Sequence, residues 1–464
     1  MAVPVSLFFF TTLFSCFVIS DQQPLLDSLE QDAVYQVLHS VNPTIPWRSL
    51  FSDDLCSSPP HGVVCGYFIE ATNHTVSHLQ TETFHIIELS FGYVSDYTPN
   101  PPCTSNSTLS PLIFTSFKYL RKLFFYQCFT ETPVSVPYNV PESFGSSLEE
   151  LVFIENPSLV GSLSGIIANY TNLRRLVFSG NGVYGNVPDK VGELVGLEEI
   201  TLSRNKLSGG FSFSLAKLKK LRVLDLSQNY FDGNAPDEMS NLTQLFKLDF
   251  SNNNFSGKIP ESFGSLQSLE FLDLSFNRFG NFGVPLFLAE MPRLSEVYLS
   301  GNLLGGQIPE IWENLRGILG IGFSGMNLVG EIPASMGLHL KNLCYLGLDN
   351  NKLQGSVPEE FGVLEFAEIN LENNNLSGKV PFSAKFSLKV GLKLKLNGNP
   401  DLCVVEGFSI NKNVSGSLGQ LKLCKEPEIP NAVQFNGGSS SALMAYSRVL
   451  LFLVFCLVML MVMA

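Results

Sequence analysis

Basic residues and histidines are scarce in this chain of 464 residues. Its 29 Lys and Arg stand against 42 Asp and Glu, and the formal net charge of −13 argues against non-specific binding to nucleic acid. Among the 6 His, His74 and His78 have a spacing that would place both on one side of a helix, but no cysteine or carboxylate cluster accompanies them. We therefore expect no metal site and no cofactor.

Signatures of catalysis are also missing. The Lys, H-R-D and D-F-G set of a protein kinase does not occur in the sequence. Asp225, Asp249 and Asp273 recur at a constant spacing and invite comparison with paired catalytic carboxylates. They belong to "LDLS" and "LDFS" segments, however, which are ordinary fillers of the repeat that contains them. The sequence predicts a protein that is not an enzyme.

Both ends of the sequence carry apolar segments. Residues 1–20 are uncharged and end in Val18-Ile19-Ser20, which is typical of a signal peptide. Residues 449–464 are sixteen apolar residues, fewer than the roughly 20 of a spanning helix. Small residues and a polar spacer precede this tail, which indicates a glycolipid-anchor signal with attachment at Asn436 and removal of 437–464. The alternative is a transmembrane helix without a cytoplasmic tail, beginning at about Leu443.

The cysteines and glycosylation sequons suit an oxidising, extracellular compartment. Cys16 and Cys456 lie in the segments expected to be removed, and we expect Cys344 to be unpaired. Sequence proximity suggests the disulfides Cys56–Cys65, Cys103–Cys128 and Cys403–Cys424. The N-x-S/T sequons are at Asn73, Asn106, Asn169, Asn241, Asn254, Asn375 and Asn413.

The middle of the chain repeats a motif with a period of about 24 residues. "LRVLDLSQNYFDGNAP" (221–236) and "LFKLDFSNNNFSGKIP" (245–260) follow the leucine-rich-repeat pattern L-x-x-L-x-L-x-x-N-x-L-x-G-x-I-P. The L-x-L alternation predicts a short strand whose apolar side chains share a core with the next turn. The asparagine is expected to pair buried backbone groups where the chain leaves the strand. It recurs at Asn156, Asn181, Asn205, Asn229, Asn253, Asn277, Asn302, Asn351, Asn374 and Asn399, with Met326 in the gap.

These features predict an α/β leucine-rich-repeat solenoid. A parallel β-sheet would form the concave face, 3-10, polyproline II and irregular segments the convex side, and disulfide-containing caps both ends. The expected divisions are a signal peptide (1–20), an N-terminal cap (21–83), repeats (84–400, about eleven regular turns and one or two irregular ones), a C-terminal cap and stalk (401–436) and the anchor signal (437–464). The Cys103–Cys128 bond would hold a Pro-rich loop against the first turns.

One segment, residues 320–325, matches the G-x-G-x-x-G motif of dinucleotide-binding enzymes. It falls on the strand of a repeat with Ile321 and Phe323 pointing inward, and no helix is expected at its third glycine, so we reject a phosphate loop. A bare outward strip beside exposed aromatics would instead let a partner's backbone approach closely. The alternative is that the glycines only accommodate local irregularity. The candidate ligand-binding residues on the concave face are Phe271, Phe276, Tyr298, Gly320, Gly322, Gly325 and Tyr345.

Several longer strings carry a resemblance to a known family. They are "SSPPHGVVC", "HIIELSFGYVSDYTPNPPC", "LRKLFFYQCF", "LEELVFIENPSLVG" and "NRFGNFGVPLFLAEM". Together with the repeats and the apolar tail, they resemble plant leucine-rich-repeat receptor-like proteins without a kinase domain. The resemblance implies a recognition protein on the extracellular face of the plasma membrane. It would bind a peptide ligand, a receptor-kinase ectodomain or both, as a co-receptor in plant responses to microbes or symbiotic fungi.

A second class of function uses the same repeat. Soluble cell-wall inhibitors that resemble polygalacturonase-inhibiting proteins would need no membrane attachment. The sequence from Asn436 onward favours the membrane-held recognition protein over this secreted inhibitor.

Overall fold

The structure is a computed structural model that describes residues 25–71, 80–92, 100–138, 140–141, 144–167, 170–405 and 421–424. Elements are numbered in chain order. The helices are α1 (Ser28–Val41), α2 (Trp47–Leu50), α3 (Ala334–His339) and α4 (Ala384–Val390). The 3-10 helices are Pro111–Phe114, Leu163–Gly165, Asp189–Glu193, Phe213–Lys217, Asp237–Asn241, Glu261–Ser265, Leu286–Glu290, Trp312–Asn314, Glu359–Val363 and Gly391–Lys393.

One strand from each turn joins a 14-stranded sheet that forms the concave face of a solenoid. The first pair is antiparallel, and every later neighbour is parallel and separated by one turn, as the repeat predicts. The strands are β1 (Val63–Ala71), β2 (Gln80–Phe91), β3 (Lys122–Tyr126), β5 (Glu150–Ile154), β7 (Arg175–Ser179), β9 (Glu199–Thr201), β11 (Val223–Asp225), β13 (Lys247–Asp249), β15 (Phe271–Asp273), β17 (Glu296–Tyr298), β18 (Gly320–Gly322), β20 (Tyr345–Gly347), β22 (Glu368–Asn370) and β24 (Leu394–Lys395).

Two further sheets follow the exits of the turns, a feature that the sequence pattern did not predict. The first contains β4 (Val134–Ser135), β6 (Leu159–Gly161), β8 (Gly182–Gly185), β10 (Lys206–Gly209), β12 (Tyr230–Asn234), β14 (Asn254–Gly257) and β16 (Arg278–Phe279). The second contains β19 (Val329–Glu331), β21 (Lys352–Ser356), β23 (Asn375–Lys379), β25 (Asp401–Val404) and β26 (Lys422–Leu423). Except after Asn302, the x-L-x-G segment that follows the asparagine is extended and paired, because stacking brings its backbone beside the same segment of the next turn.

The predicted asparagine ladder is present, and all ten asparagines are buried. Asn229 shows its geometry. Its Nδ2 donates to the carbonyls of Leu202 (2.8 Å), Leu226 (3.1 Å) and Ser227 (3.0 Å), while its Oδ1 accepts from the N–H of Leu207 (3.0 Å). One amide thus bonds to backbone groups of two successive turns, and neighbouring asparagines share some of the same carbonyls, as Asn205 does at Leu202 and Asn253 at Leu226.

The ladder has its gap at Met326, and the outer sheets are interrupted at the same place. Asn351 Oδ1 accepts from the N–H of Met326 (2.9 Å), but the thioether cannot pair backbone groups in the turn before it. Gly305 N–H instead donates to the Met326 carbonyl (2.9 Å), and Gly305 and Gly306 both have positive φ. Within the part of the chain that the structure describes, only an isolated bridge between Gln307 and Val329 continues the outer pairing here. The gap in the asparagine ladder and the break between the two outer sheets thus both follow from methionine at position 326.

Disulfides lie at both ends of the described array. They join Cys56 to Cys65, Cys103 to Cys128 and Cys403 to Cys424, the pairs suggested by sequence proximity. Cys344 is also disulfide-bonded, so the expectation of an unpaired thiol is wrong. Cys344 is half-buried and directly precedes β20.

Candidate functional site

The concave face presents two rows of outward side chains between β11 and β22. In register, the first row reads Val223, Lys247, Phe271, Glu296, Gly320, Tyr345 and Glu368, and the second reads Asp225, Asp249, Asp273, Tyr298, Gly322, Gly347 and Asn370. The central residue of each strand, such as Leu272 or Val297, is buried in the core. The 24-residue period therefore places acids, aromatics and glycines side by side on one surface.

The predicted bare strip of glycines is not bare. Gly320 and Gly322 are buried, because the side chain of Tyr298 from the preceding turn lies over both. A Cβ at Gly322 would be 2.6 Å from Tyr298 Cδ1, and a Cβ at Gly320 would be 2.8 Å from the tyrosine oxygen. Gly325, beyond the strand, remains half-buried. The idea that a partner's backbone approaches Gly320 and Gly322 is therefore wrong: these glycines make room for a tyrosine.

The aromatic side chains form a contiguous ridge, which we call the aromatic ridge (Phe271, Tyr298 and Tyr345). The Phe271 and Tyr298 ring centroids are 5.8 Å apart, and those of Tyr298 and Tyr345 are 6.1 Å apart across the glycine strand. The Tyr298 hydroxyl donates to Glu296 Oε2 at 2.7 Å. Burial and the carboxylate of Glu296 raise the pKa of Tyr298, so its hydroxyl remains a donor at every physiological pH.

Phe276 lies apart from the ridge, at the edge where the strands end. Its φ of 52° is in the left-handed region, which a bulky side chain rarely occupies, and 58% of its surface is exposed. The same position in other turns also has a positive φ, both where it holds a tolerant residue such as Asn252 or Gly301 and where it holds Gln228 or Arg204. The Phe276 ring covers Gly301, where a Cβ would be 2.6 Å from the ring. A strained, exposed aromatic of this kind is a candidate binding residue.

Asp225, Asp249 and Asp273 form an acid row beside the ridge. Each carboxylate accepts from the serine hydroxyl two residues later, at 2.7, 2.8 and 2.5 Å. Burial and the neighbouring charges of Asp225 and Asp273 raise the pKa of Asp249 to about 7. Burial also raises the pKa of Asp273. The serine contacts support the structural interpretation of these acids over a catalytic one.

Lys247 connects the acid row to the aromatic ridge. Its Nζ is 3.2 Å from Asp225 Oδ2 and 3.7 Å from Asp249 Oδ2, and it lies 5.2 Å from the centroid of the Phe271 ring. Burial lowers the pKa of Lys247, but the attraction of Asp225 and Asp249 outweighs burial and raises it overall. A single cation therefore neutralises only part of the row, and this end of the surface favours a ligand that carries positive charge.

We expect the raised pKa of Asp249 to make stability depend on pH. Because folding raises this pKa from 3.8 to about 7, the folded state binds the extra proton between these values, and stability falls as pH rises from about 4 to 7. The wild-type melting temperature should fall by a few degrees between pH 5 and 8, on the order of 2 kcal/mol. Asp249→Asn keeps an oxygen acceptor for Ser251 and should flatten this profile. Parallel slopes for the two proteins would contradict the prediction.

Other predicted positions are distributed over the surface or are outside the described residues. The sequon asparagines Asn106, Asn241 and Asn375 are exposed, and Asn254 is half-buried on β14. Asn73, Asn169, Asn413, the signal peptide and the anchor segment with Asn436 lie outside the described residues. Among the residues that the structure describes, no helix is long and apolar enough to cross a membrane, and no group of three potential metal ligands occurs.

Reasoning from the sequence missed two members of the surface, Lys247 and Glu296. Both occupy the first outward position of their strand, in register with Phe271. Aligning the repeats position by position would have found them, since register follows from the period. Their contacts with the acid row and with Tyr298 depend on side-chain direction, which the period does not specify.

The fold and the repeated surface define a leucine-rich-repeat protein. Residues 219–279, 293–315 and 342–364 match families described as leucine rich repeat. More narrowly, the chain resembles plant leucine-rich-repeat receptor-like proteins. It is 32% identical to Piriformospora indica-insensitive protein 2 of Arabidopsis thaliana over 35% of this chain and 35% of that protein. It is 33% identical to Protein TOO MANY MOUTHS of the same plant over 31% of this chain and 26% of that protein. The chain thus spans about a third or less of the length of these relatives.

Solved structures share the architecture. A TDR receptor structure matches with a TM-score of 0.53 and 27% identity, over 64% of this chain and 50% of that one. The ectodomain of the plant membrane receptor kinase GASSHO1/SCHENGEN3 from Arabidopsis thaliana, in complex with CASPARIAN STRIP INTEGRITY FACTOR 2, matches with a TM-score of 0.51 and 27% identity, over 64% of this chain and 37% of that one. The described repeats therefore have the fold of plant receptor ectodomains.

Proposed function

We propose that this protein is a non-catalytic recognition protein on the extracellular face of the plasma membrane. It binds a peptide ligand, a receptor-kinase ectodomain or both through its concave face, as a co-receptor in plant responses to microbes or symbiotic fungi. The observation that carries the proposal is the aromatic ridge beside a partly neutralised acid row. The three ridge side chains are half-buried. Partly accessible tyrosine and phenylalanine side chains beside charged groups are typical of the residues that dominate protein recognition.

The dimensions of the surface suit an extended peptide. The ridge crosses three strand-to-strand steps, from β15 to β20, which is about 14 Å at roughly 4.8 Å per step. Including β11 and β13, the surface reaches about 24 Å, the length of seven or so extended residues. The complementary ligand would place apolar or aromatic side chains against the ridge and a basic group near Asp225 and Asp249.

The relatives support this assignment at the level of the fold. The GASSHO1/SCHENGEN3 ectodomain, which has the same architecture, was solved with a bound factor. The link to a fungus comes from the relative named Piriformospora indica-insensitive protein 2.

The test is capture of partners from plant root membranes by the tagged full-length protein. If the proposal is right, receptor kinases are among the bound proteins, and the amount of kinase recovered falls when a basic peptide is added as a competitor for the concave face. The alternative, a secreted inhibitor of the polygalacturonase-inhibitor type, expects the purified ectodomain to inhibit a polygalacturonase without any kinase partner. Inhibition together with an absence of captured kinases would replace the proposed function.

Membrane attachment through a glycolipid at Asn436 is part of the same proposal. Phosphatidylinositol-specific phospholipase C is expected to release the protein from intact membranes, because the enzyme cleaves the lipid and leaves no spanning segment. An Asn436→Gln variant with its neighbouring small residues replaced by leucine should not become phospholipase-sensitive. Mass spectrometry that finds residues 449–464 in the mature protein would favour the tail-less transmembrane helix instead.

A further inference from the structure

A cleft of about 910 Å³ lies in the N-terminal cap, beside the C-terminal half of α1. Pro43 and Trp47 form apolar parts of the cleft wall, while Gln36 and His39 add polar groups to it. Both polar side chains are exposed, and Arg48, which also lines the cleft, is paired with Asp32 at 2.8 Å. The surface is therefore amphipathic, and its volume lies within the roughly 300–1,000 Å³ typical of ligand sites.

Asn106 lines this cleft, and it begins the sequon Asn106-Ser107-Thr108. The sequon is held rigidly against the end of α1. Ser107 Oγ donates to the Val41 carbonyl at 2.5 Å, and the N–H of Thr108 donates to the Ser40 carbonyl at 2.9 Å. Ser107 is buried, whereas Asn106 and Thr108 are exposed. A sugar attached to Asn106 would thus leave the protein from a fixed point at the edge of the cleft.

The same loop is tied to the first turns by the Cys103–Cys128 disulfide. Asn42 adds a further tie by donating from Nδ2 to the Pro102 carbonyl at 3.0 Å. Because α1, the loop and the first turns form one connected unit, the position of Asn106 relative to the cleft does not depend on a flexible connection. This distinguishes Asn106 from sequons such as Asn241, which ends a 3-10 helix on the outer surface and lines neither cleft wall.

We propose that an N-glycan on Asn106 folds back into this cleft and forms part of the N-terminal cap. Attachment makes docking intramolecular, so weak contacts suffice to keep the cleft occupied. The N-acetyl methyl groups and the C–H faces of the first sugars pack against Pro43 and Trp47, and their hydroxyl and amide groups bond with Gln36 and His39. The cleft is then closed to other ligands, and recognition is left to the concave face.

The experiment begins with the protein purified from plant cells. Glycopeptide mass spectrometry should find Asn106 modified. Thr108→Ala removes the sequon, while Thr108→Ser keeps it and serves as the matched control. Hydrogen exchange of residues 36–49 should be at least about threefold faster in the alanine variant than in the serine variant. Asn241→Gln, which removes a glycan elsewhere, should leave this segment unchanged.

Enzymatic deglycosylation supplies a second measurement that does not depend on a variant. For this measurement the protein is made in plant cells that lack core α1,3-fucosylation, which would block peptide N-glycosidase F. The enzyme should release the Asn106 glycan from native protein about tenfold more slowly than the Asn241 glycan, because a docked sugar is protected until it detaches. The two rates should become equal after denaturation. An unmodified Asn106, equal native rates, or equal exchange in the two Thr108 variants would each overturn the proposal. None of these outcomes bears on partner capture by the concave face.

Discussion

Replacing Asn229 with alanine is expected to lower the free energy of unfolding by about 3–5 kcal/mol. The side chain makes four hydrogen bonds to backbone groups of two turns, and it is buried. Alanine removes the acceptor of the buried Leu207 N–H. It also takes one donor from each of the three carbonyls, which keep only Asn205, Asn253 and the Arg204 N–H as donors. In thermal unfolding the melting temperature should fall by roughly 5–10 °C.

Two further variants sharpen the test. Asn229→Asp keeps the acceptor for the Leu207 N–H but puts a carboxylate against three carbonyl oxygens, so it should destabilise more than alanine. Asp232→Ala changes an exposed side chain three residues later and should cost less than about 0.5 kcal/mol. The repeat with Met326 shows that the solenoid can form without one of the asparagines. There, however, Gly305 and Gly306 adopt positive φ and Gly305 bonds to the Met326 carbonyl, an arrangement that the repeat with Asn229 lacks. Equal stability of the alanine variant and wild type would refute the ladder's role.

Replacing Phe271 with alanine is expected to weaken capture of a receptor-kinase ectodomain by about 30-fold or more. Phe271 contacts Tyr298 on one side and Lys247 on the other, so its loss separates the ridge from the acid row. Phe276→Asn should weaken capture as well, while raising stability by about 0.5–1 kcal/mol, because asparagine tolerates the left-handed backbone better than phenylalanine does. Binding is read by surface plasmon resonance on the captured kinase ectodomain.

The matched control is Tyr230→Ala, which removes an aromatic that is 59% exposed on β12, in the outer sheet and away from the ridge. It should leave binding unchanged. Gly322→Arg is not a clean probe, since any side chain there displaces Tyr298 and would reduce stability together with binding. If Phe271→Ala and Phe276→Asn both bind like wild type, the recognition surface lies elsewhere on the array.

The period of about 24 residues determined the solenoid from the sequence alone. Because the repeated sequence makes the same local contacts in each turn, the structure of one regular turn predicts that of the next. The predicted features include the buried asparagines and the prolines that precede 3-10 helices, Pro188, Pro236 and Pro260. The three disulfides could be predicted from sequence proximity because the paired cysteines are close in sequence and lie within one cap or one turn of each other.

Only the tertiary structure decided what the concave face presents. Gly320 and Gly322 point outward as the pattern predicts, yet Tyr298 from the adjacent turn covers them. Burial in the stack of turns, together with the charges of Asp225 and Asp273 in the two neighbouring turns, raises the pKa of Asp249. A repeat pattern specifies which side of the strand each residue occupies. How far a side chain reaches across the roughly 4.8 Å to the next strand, and what it meets there, depends on rotamers and on packing between turns.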